Sequence, residues 1–293
     1  MGLRSTIADL ILLARYGTRY PRAVHLPGGP VPLEINPKDR RARNLIARRA
    51  ARGQISTARR LWMDAIRHLQ PDLALDVGTN YGECLLGVRY APGTQALGLE
   101  ANPALLPIIQ ATLARHPDRE RIRLVHGLAS DTNGEDAILH IDPSFSGTAS
   151  AVASTSDRLS THVPVQSLRL DTMIGEHCSQ RSINSIVFKI DIEGFEGVAM
   201  RGFTCLDAIP DRLGILEFDL QYLAASPVDG ASLLGRLLDY GIVLDSKRGV
   251  RHLRRITSMD DLLRLHASNG HELHTDLMVA SSSTLLPPSW RVR

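Results

Sequence analysis

The chain has 293 residues, of which 43% are hydrophobic and 22% charged, so it holds enough apolar material for a sizeable folded core. This composition excludes disordered and collagen-like classes, and an aromatic content of 4% argues against a surface that binds nucleic acid by stacking many bases. Cys84, Cys178 and Cys205 lie far apart with no CxxC pair, which predicts neither a disulfide framework nor a thiolate zinc site and favours a reducing, cytoplasmic setting.

The charge is distributed unevenly along the chain. Residues 1–70 hold 14 Lys+Arg and 4 Asp+Glu, a net charge of +10, whereas the other 223 residues hold 20 and 27, a net charge of −7. A basic region can bind an anionic partner such as nucleic acid, acidic lipid or a phosphorylated substrate, but a solvated helix face is the commoner explanation. Because no stretch approaches the roughly 18 apolar residues of a membrane span and no cleavage signal is present, we expect neither membrane insertion nor export.

Residues 1–70 are predicted to form a basic, helical N-terminal extension. Apolar residues recur at helical spacing in two places, first at Ile7, Leu10, Ile11 and Ala14, and then at Ile55, Trp62, Ile66 and Leu69. Between them, Pro21–Pro37 is too rich in proline and glycine for a helix interior and predicts a linker or turns. The pattern becomes helical again from Lys38, with a break at Gly53.

From residue 71 to residue 280, apolar runs of strand length alternate with helix-length segments, which is typical of βαβ units and a largely parallel sheet. The strands of this α/β domain are predicted at Leu73–Val77, Gln95–Glu100, Arg121–His126, Ser185–Asp191, Leu213–Phe218, Ile242–Asp245 and Leu277–Ala280. The helices are predicted at Tyr81–Tyr90, Pro103–Arg115, Phe195–Phe203, Ala231–Tyr240 and Met259–His266.

An insertion at about 135–170 interrupts this alternation. It contains two predicted strands, Ala137–Asp142 and Val163–Leu170, on either side of the Ser/Thr-rich stretch Pro143–His162, which we interpret as a mobile lid or an irregular surface loop. Residues 281–293, with a run of three consecutive serines and Pro287-Pro288, are predicted to form a loose tail.

The strongest local motif is Leu73-Ala-Leu-Asp-Val-Gly-Thr-Asn-Tyr-Gly82, an apolar strand that runs into a glycine loop. Gly78 and Gly82 allow a ligand to approach the backbone closely, but the GxGxxG spacing of dinucleotide-binding sites is absent. Asp76 stands at the start of the loop, where a carboxylate disfavours a pyrophosphate and favours a cationic group. The motif therefore predicts a nucleoside ligand, with a tight turn that binds nothing as the alternative.

Glu100 ends the next predicted strand, 18 residues beyond Gly82 and close to the spacing at which an acidic residue binds ribose hydroxyls. By itself, Glu100 could instead be an acidic residue at the N-terminus of the helix that begins at Asn102-Pro103. Together with the glycine loop, it indicates adenosine attached to a positively charged group. S-adenosylmethionine has this chemistry, since it carries a sulfonium and an amino group beside its ribose.

A third motif, Ile186-Val-Phe-Lys-Ile-Asp-Ile-Glu-Gly-Phe-Glu196, places charges at the end of a buried strand. The period of two puts Lys189, Asp191 and Glu193 on one side of this strand. Charges at the carboxyl end of a parallel strand are costly unless they are paired or functional, and open α/β sheets bind ligands at that end.

At these motifs the chain resembles the FkbM-type S-adenosylmethionine-dependent methyltransferases, over roughly Leu73 to Glu217. The matching segments are Asp76-Val-Gly-Thr-Asn-Tyr-Gly82, Glu100-Ala-Asn-Pro103, Gly147-Thr-Ala-Ser150, Val163-Pro-Val-Gln-Ser-Leu-Arg-Leu-Asp171, Phe188-Lys-Ile-Asp-Ile-Glu-Gly-Phe-Glu196 and Ile215-Leu-Glu217. The Lys-Ile-Asp-Ile-Glu-Gly segment is the most specific of them. The resemblance does not reach the basic region before residue 70.

The resemblance implies a Rossmann-like, seven-stranded class I methyltransferase sheet and O-methylation of a hydroxyl on a small molecule or sugar. It implies cofactor-binding roles for Asp76, Gly78, Asn80, Tyr81, Gly82, Glu100, Asn102, Ser130 and Asp191. At the end of the third strand, His126-Gly-Leu-Ala-Ser130 departs from the asparagine-containing form that we would expect, so the adenine contact is less well defined.

Transfer of a methyl group to a hydroxyl needs a base or a metal that lowers the pKa of the hydroxyl. Asp191 and Glu193, joined by Glu217 on the adjacent predicted strand, are the candidate bases, and close carboxylates raise one another's proton affinity. The same three residues could instead hold Mg²⁺. Of the two, we favour metal-free catalysis.

Two other functions also agree with parts of the sequence. An NAD-dependent oxidoreductase would explain the βαβ pattern and Glu100, but not Asp76 or the missing third glycine. A nucleic-acid methyltransferase would use the basic N-terminal region, but the aromatic-flanked Asn/Asp-Pro-Pro signature of base methylation is absent, so we do not expect nucleic acid as a partner. The acceptor and the oligomeric state have no signature in the sequence.

Overall fold

The structure is a computed structural model that describes residues 3–43, 56–152, 161–178, 182–247, 252–267 and 273–293. Within these ranges, no helix has both the length and the apolar character needed to cross a bilayer.

The N-terminal region contains strands as well as helices. It consists of α1 (Leu3–Tyr16), the short antiparallel pair β1 (Ala23–Val24) and β2 (Leu33–Glu34), a helical turn at residues 40–43, and α2 (Thr57–Leu69). The Ser56 side chain accepts a hydrogen bond from the Arg59 N–H and begins α2. The stretch Pro21–Pro37, predicted as a linker or turns, contains a short hairpin between two helical segments. The predicted break at Gly53 and the predicted position Ile55 lie outside the described residues.

The rest of the chain contributes twelve strands and six α-helices to the described structure. In chain order these are β3 (Leu73–Val77), β4 (Gln95–Glu100), α3 (Leu106–Leu113), β5 (Ile122–His126), β6 (Leu128–Ser130), β7 (Asp136–Asp142), β8 (Phe145–Ser150), β9 (Thr161–Arg169), α4 (Leu170–Cys178), β10 (Ser185–Ile190), α5 (Glu196–Arg201), β11 (Asp211–Asp219), α6 (Leu220–Leu223), α7 (Gly230–Tyr240), β12 (Ile242–Asp245), β13 (Arg254–Ile256), α8 (Met259–His266) and β14 (His274–Ala280).

The central sheet has the strand order β5-β4-β3-β10-β11-β14-β12-β13. Strands β5 to β11 in this order are parallel, and β14 is antiparallel to both of its neighbours. The seven predicted core strands all lie in this sheet, but it has eight strands among the described residues, because β13 adds to the edge beside β12. The parallel strands end together on one edge, which is where open α/β sheets bind ligands.

The insertion, together with β6 that precedes it, forms a second sheet with the order β6-β9-β7-β8. Its two predicted strands correspond to β7 and β9. β8 occupies part of the stretch that was predicted as a loop, and it pairs with β7 around a bulge between His140 and Asp142. The second half of that stretch, residues 153–160, lies outside the described residues.

The helix predicted at Tyr81–Tyr90 is absent, and this segment consists of turns. Gly82 has a φ of 81°, a left-handed conformation that an α-helix does not contain. The Leu85 N–H donates to the Asp76 carboxylate at 3.1 Å instead of to a helical carbonyl. Carbonyls of the segment are bound by side chains, since Arg59 Nε donates to Glu83 O at 3.1 Å and Arg59 Nη2 to Gly87 O at 3.2 Å.

Apolar residues on both faces of the central sheet form the core. One face is covered by α4, α5, α7 and α8, and the other by α2, α3, the N-terminal hairpin and the C-terminal residues. The tail is packed rather than loose, because Trp290 is 6% exposed and its indole N–H donates to Asp64 Oδ2 of α2 at 3.3 Å.

Candidate active site

A cavity of about 300 Å³ lies at the carboxyl ends of β3, β4 and β10. Residues of β8 and of the N-terminal region complete its wall. A concave site at this edge of an α/β sheet is the expected place for a ligand.

Gly78 brings two of the strand ends together. A Cβ at this position would lie 2.0 Å from the carbonyl oxygen of Asp191, so only glycine allows the two loops to approach so closely. The Gly78 N–H donates to Leu99 O at 2.9 Å, and the Asp191 N–H donates to Val77 O at 3.2 Å. The loop after β3 is therefore fixed between β4 and β10.

Asp76 is 1% exposed, and both of its carboxylate oxygens have partners. Oδ2 accepts from the Leu85 N–H at 3.1 Å, and Oδ1 lies 3.3 Å from the Lys189 ammonium. Burial raises the pKa of Asp76 against the opposing effect of Lys189. Asp76 lines the cavity, and its bonds to the turn and to Lys189 balance its charge; direct contact with a cofactor stays a prediction.

Glu100 lies at the end of β4 and is 7% exposed. Its Oε2 accepts from the Asn80 N–H at 2.7 Å and its Oε1 from the Asn102 N–H at 2.8 Å. Burial raises the pKa of Glu100, while these two backbone donors oppose the rise. Each carboxylate oxygen can accept a second hydrogen bond, so Glu100 can still bind two ribose hydroxyls.

Asp191, Glu193 and Glu217 form a cluster in which one carboxylate oxygen of each lies within 4.8 Å of the others. Burial disfavours the charge of Asp191, but Lys189 Nζ at 3.3 Å and the Arg41 guanidinium hold its pKa below the usual value. Burial and then Glu217 and Asp191 raise the pKa of Glu193 well above its usual value. Burial, with Asp191, raises the pKa of Glu217 to about 8. The cluster thus contains one ionised carboxylate beside two that favour a proton.

Glu193 has a φ of 55°, which is uncommon for a residue with a side chain and costs about 1 kcal/mol or more. The Ser150 hydroxyl of β8 donates to its carbonyl at 2.6 Å and holds this strained backbone. Behind it, Glu217 Oε1 lies 2.9 Å from Nε2 of His274, while Oε2 is buried without a hydrogen-bond partner among the described residues. Nothing in the spacing of the histidines indicated His274 at this site.

The structure brings most of the predicted site residues to one cavity. Those that line it are Asp76, Gly78, Asn80, Glu100, Asp191 and Glu193. Those that do not line it are Tyr81, Gly82, Asn102, Ser130 and Glu217. Of these, Asn102 supports Glu100 through its N–H, and Glu217 adjoins the other two carboxylates. Gly127, Leu128 and Ala129 line the cavity beside Ser130.

The sequence did not predict several lining residues, notably Arg41, Arg59 and Asp276. Arg41 and Arg59 come from the basic N-terminal region, and they precede Asp76 of the cavity by 35 and 17 residues. The uneven charge was the single sequence feature that pointed to this region. Burial and the nearby Asp191 raise the pKa of Asp276 to about 6.

The residues present fit S-adenosylmethionine. Glu100 offers acceptors for the ribose hydroxyls, and Leu128 and Ala129 provide an apolar wall for the adenine. The ionised Asp191 at the other end suits the cationic part of this molecule. Glu100 therefore suits the neutral ribose, and Asp191 suits the positively charged part of the molecule.

Comparison with known proteins identifies a family for the chain. A model of the methyltransferase FkbM domain matches residues 76–222, about half of the chain, and no curated protein matches the chain. Solved structures that match include the O-methyltransferase TomG from Streptomyces achromogenes in complex with SAM, with 10% identity, 80% of this chain and 87% of that chain covered, and a TM-score of 0.40. Another is the O-methyltransferase from Bacillus cereus in complex with SAH, with 12% identity, coverage of 95% and 100%, and a TM-score of 0.37. At these values the solved structures assign no substrate. The match over residues 76–222 shows that the chain belongs to the FkbM methyltransferase family.

Proposed function

We propose that this chain uses S-adenosylmethionine to methylate a hydroxyl of a small molecule or sugar in the cytoplasm. The observation that carries the proposal is one cavity with Glu100 at one end and Asp191 and Glu193 at the other. A ribose on Glu100 directs the sulfonium toward Asp191, and an acceptor hydroxyl can then approach beside Glu193.

When bound, S-adenosylmethionine supplies an electrophilic methyl group, and the protein must align the acceptor with the methyl–sulfur bond. We assign Glu193 as the base because it lines the cavity and because its raised pKa makes its ionised form a stronger proton acceptor than an ordinary carboxylate. Asp191 stays ionised beside Lys189 and Arg41 and orients the positive donor. Glu217 shares the proton of the cluster and is held by His274.

A divalent cation on the three carboxylates is the alternative to this metal-free scheme. Carboxylate oxygens suit Mg²⁺, and the three oxygens are close enough to ligate one ion. Lys189 already places a positive charge 3.3 Å from Asp191, which is why we favour catalysis without a metal. Activity within about twofold after treatment with EDTA is the expected result; a loss that Mg²⁺ restores would replace the metal-free scheme.

Two measurements test the function. Calorimetry should show binding of S-adenosylmethionine and S-adenosylhomocysteine and no binding of NAD. The protein is then incubated with a methyl-labelled donor and a cell extract, and the labelled product is identified. A product labelled on a hydroxyl oxygen is expected. Binding of NAD alone would favour an oxidoreductase, and a labelled nucleic acid with salt-dependent retention would favour use of the basic region on RNA or DNA.

A further inference from the structure

We propose that Arg41 binds the carboxylate of the amino-acid part of the methyl donor, so that the N-terminal region completes the donor site. This inference rests on the proposed function. Arg41 lies outside residues 76–222, where the family match is found.

Arg41 contacts the loop after β3, next to Glu100, which is the carboxylate expected to bind the ribose. Its Nη1 donates to Asn80 Oδ1 at 2.8 Å and lies 3.5 Å from Glu83 Oε1. The Asn80 N–H in turn donates to Glu100 at 2.7 Å. Asn80 therefore connects the Arg41 guanidinium to the carboxylate that is expected to bind the ribose. Among the residues described, the hydrogen bonds of this guanidinium come from Nη1, so Nε and Nη2 remain available as donors.

Asp39 fixes the backbone that carries Arg41. Asp39 is 3% exposed, and its Oδ1 accepts from the N–H of Arg41 at 2.8 Å and from the N–H of Ser146 at 3.3 Å. Its Oδ2 accepts from the Tyr81 hydroxyl at 2.7 Å. One buried carboxylate thus ties the N-terminal region to both the glycine loop and β8.

Gly147 leaves room for the Arg41 side chain. A Cβ on Gly147 would lie 2.4 Å from Cδ and 2.6 Å from Nε of Arg41, which is too close for any real contact. The aliphatic part of Arg41 therefore crosses β8 at Gly147, where the side chain of any other residue would block it. This crossing directs the guanidinium to the cavity wall, where its side chain is 17% exposed.

Arg41 supplies a positive charge to a part of the cavity wall where Glu83, Asp191 and Glu193 are among its charged neighbours. Lys189 lies between Asp76 and Asp191, each at 3.3 Å, so its charge is balanced. Arg59 donates to the carbonyls of Pro27, Glu83 and Gly87. The donor brings one carboxylate into a cavity rich in carboxylates, and an arginine fork suits that group.

The orientation expected for the bound methyl donor also places its amino-acid part near Arg41. Glu100 ends β4, and the apolar residues Leu128 and Ala129 lie on the β5 side of it. With adenine on that side, the amino-acid part extends toward β3 and β10, where Asn80 and Arg41 are found.

Calorimetry with two ligands tests the inference. S-adenosylhomocysteine carries the carboxylate, and its decarboxylated analogue, S-adenosyl-3-thiopropylamine, lacks that group alone. We expect Arg41→Gln to raise the Kd for S-adenosylhomocysteine by about 10- to 100-fold and to change the Kd for the analogue by less than about threefold. Arg41→Lys should lose part of the preference for S-adenosylhomocysteine over the decarboxylated analogue.

Arg40→Gln is the matched control, because its guanidinium is 56% exposed and lies 3.7 Å from Asp142 rather than at the cavity. Both Kd values should stay within about threefold in this variant. Gly147→Ala, which displaces Arg41 without removing it, should weaken S-adenosylhomocysteine selectively and tests the inference even if Arg41→Gln does not fold.

The outcomes separate the two proposals. If the unaltered protein binds neither ligand, the proposed function and this inference both fail. If it binds S-adenosylhomocysteine and the Arg41 and Gly147 variants bind both ligands as the unaltered protein does, or lose both equally, the carboxylate role is overturned while the proposed function stands.

Discussion

The ammonium of Lys189 lies 3.3 Å from a carboxylate oxygen of Asp191, two residues further along at the end of β10. Burial disfavours both charges, but the pKa of Lys189 is raised and that of Asp191 is lowered, because each favours the charged form of the other. This pair gives the carboxylates at the cavity unequal roles. Asp191 keeps its negative charge, whereas the nearby Glu193, without such a partner among its dominant influences, favours a proton.

Asp191→Asn should abolish turnover while leaving binding of S-adenosylhomocysteine, which lacks the sulfonium charge, within a few-fold. The substitution removes the ionised carboxylate that orients the positive donor beside Glu193. We expect kcat to fall by about 10²- to 10⁴-fold. Steady-state kinetics measures the loss, and calorimetry with S-adenosylhomocysteine measures binding. Retained activity would remove Asp191 from the mechanism.

Activity should rise with pH from neutral toward the region near pH 8. A carboxyl group whose pKa is raised is protonated below that pKa, so the form that can accept a proton from the acceptor appears as pH increases. Glu217 has a pKa of about 8, and Glu193 is raised as well. A profile of kcat that is flat from pH 6 to pH 9 would contradict this assignment.

Glu217→Gln should move the rising part of that profile to lower pH. After burial, Glu217 is the largest influence that raises the pKa of Glu193, and glutamine removes its charge. Glu135→Gln, at an exposed position before β7, is the control and should leave the profile unchanged. An unshifted profile in Glu217→Gln would mean that the two carboxylates do not share a proton.

Arg59→Met should destabilise the protein by about 3 kcal/mol, because carbonyls in a buried turn lose charged donors. Arg59 is 2% exposed and takes the place of helical hydrogen bonds in the segment after the glycine loop. Urea unfolding measures the change in the free energy of unfolding. Arg60→Met, on the exposed neighbour, should change it by less than about 0.5 kcal/mol. An equal effect of both substitutions would argue against a structural role for the Arg59 guanidinium.

Trp290→Ala should also destabilise the whole protein, by about 3 kcal/mol, since the indole packs against α2 in the core on that face of the sheet. Trp290→Phe should cost less, because it keeps most of the apolar contact and loses the bond to Asp64. Val292→Ala, at a side chain that is 43% exposed, is the control. Thermal unfolding with no change in Trp290→Ala would restore the view of a loose tail.

Two predicted strands and one predicted helix show which parts of the fold the sequence could and could not predict. Leu73–Val77 and Gln95–Glu100 were predicted with the bounds that the structure has, because continuous apolar runs between turn residues report burial on both faces of a sheet. Tyr81–Tyr90 has apolar spacing that a helix would accept, yet it forms turns. Its backbone groups are satisfied by Asp76 and Arg59, which are distant from them in the chain, and no local pattern reports such partners.

The sequence by itself determined the parallel sheet, the order of its motifs and the gathering of Asp76, Glu100 and Asp191 at one edge. These follow from local periodicity and from the rule that parallel strands end on the same side. Tertiary structure decided the ionisation of each carboxylate and the entry of Arg41 into the cavity wall. Both depend on burial and on charges that folding brings together through space, and neither quantity is defined until the chain has packed.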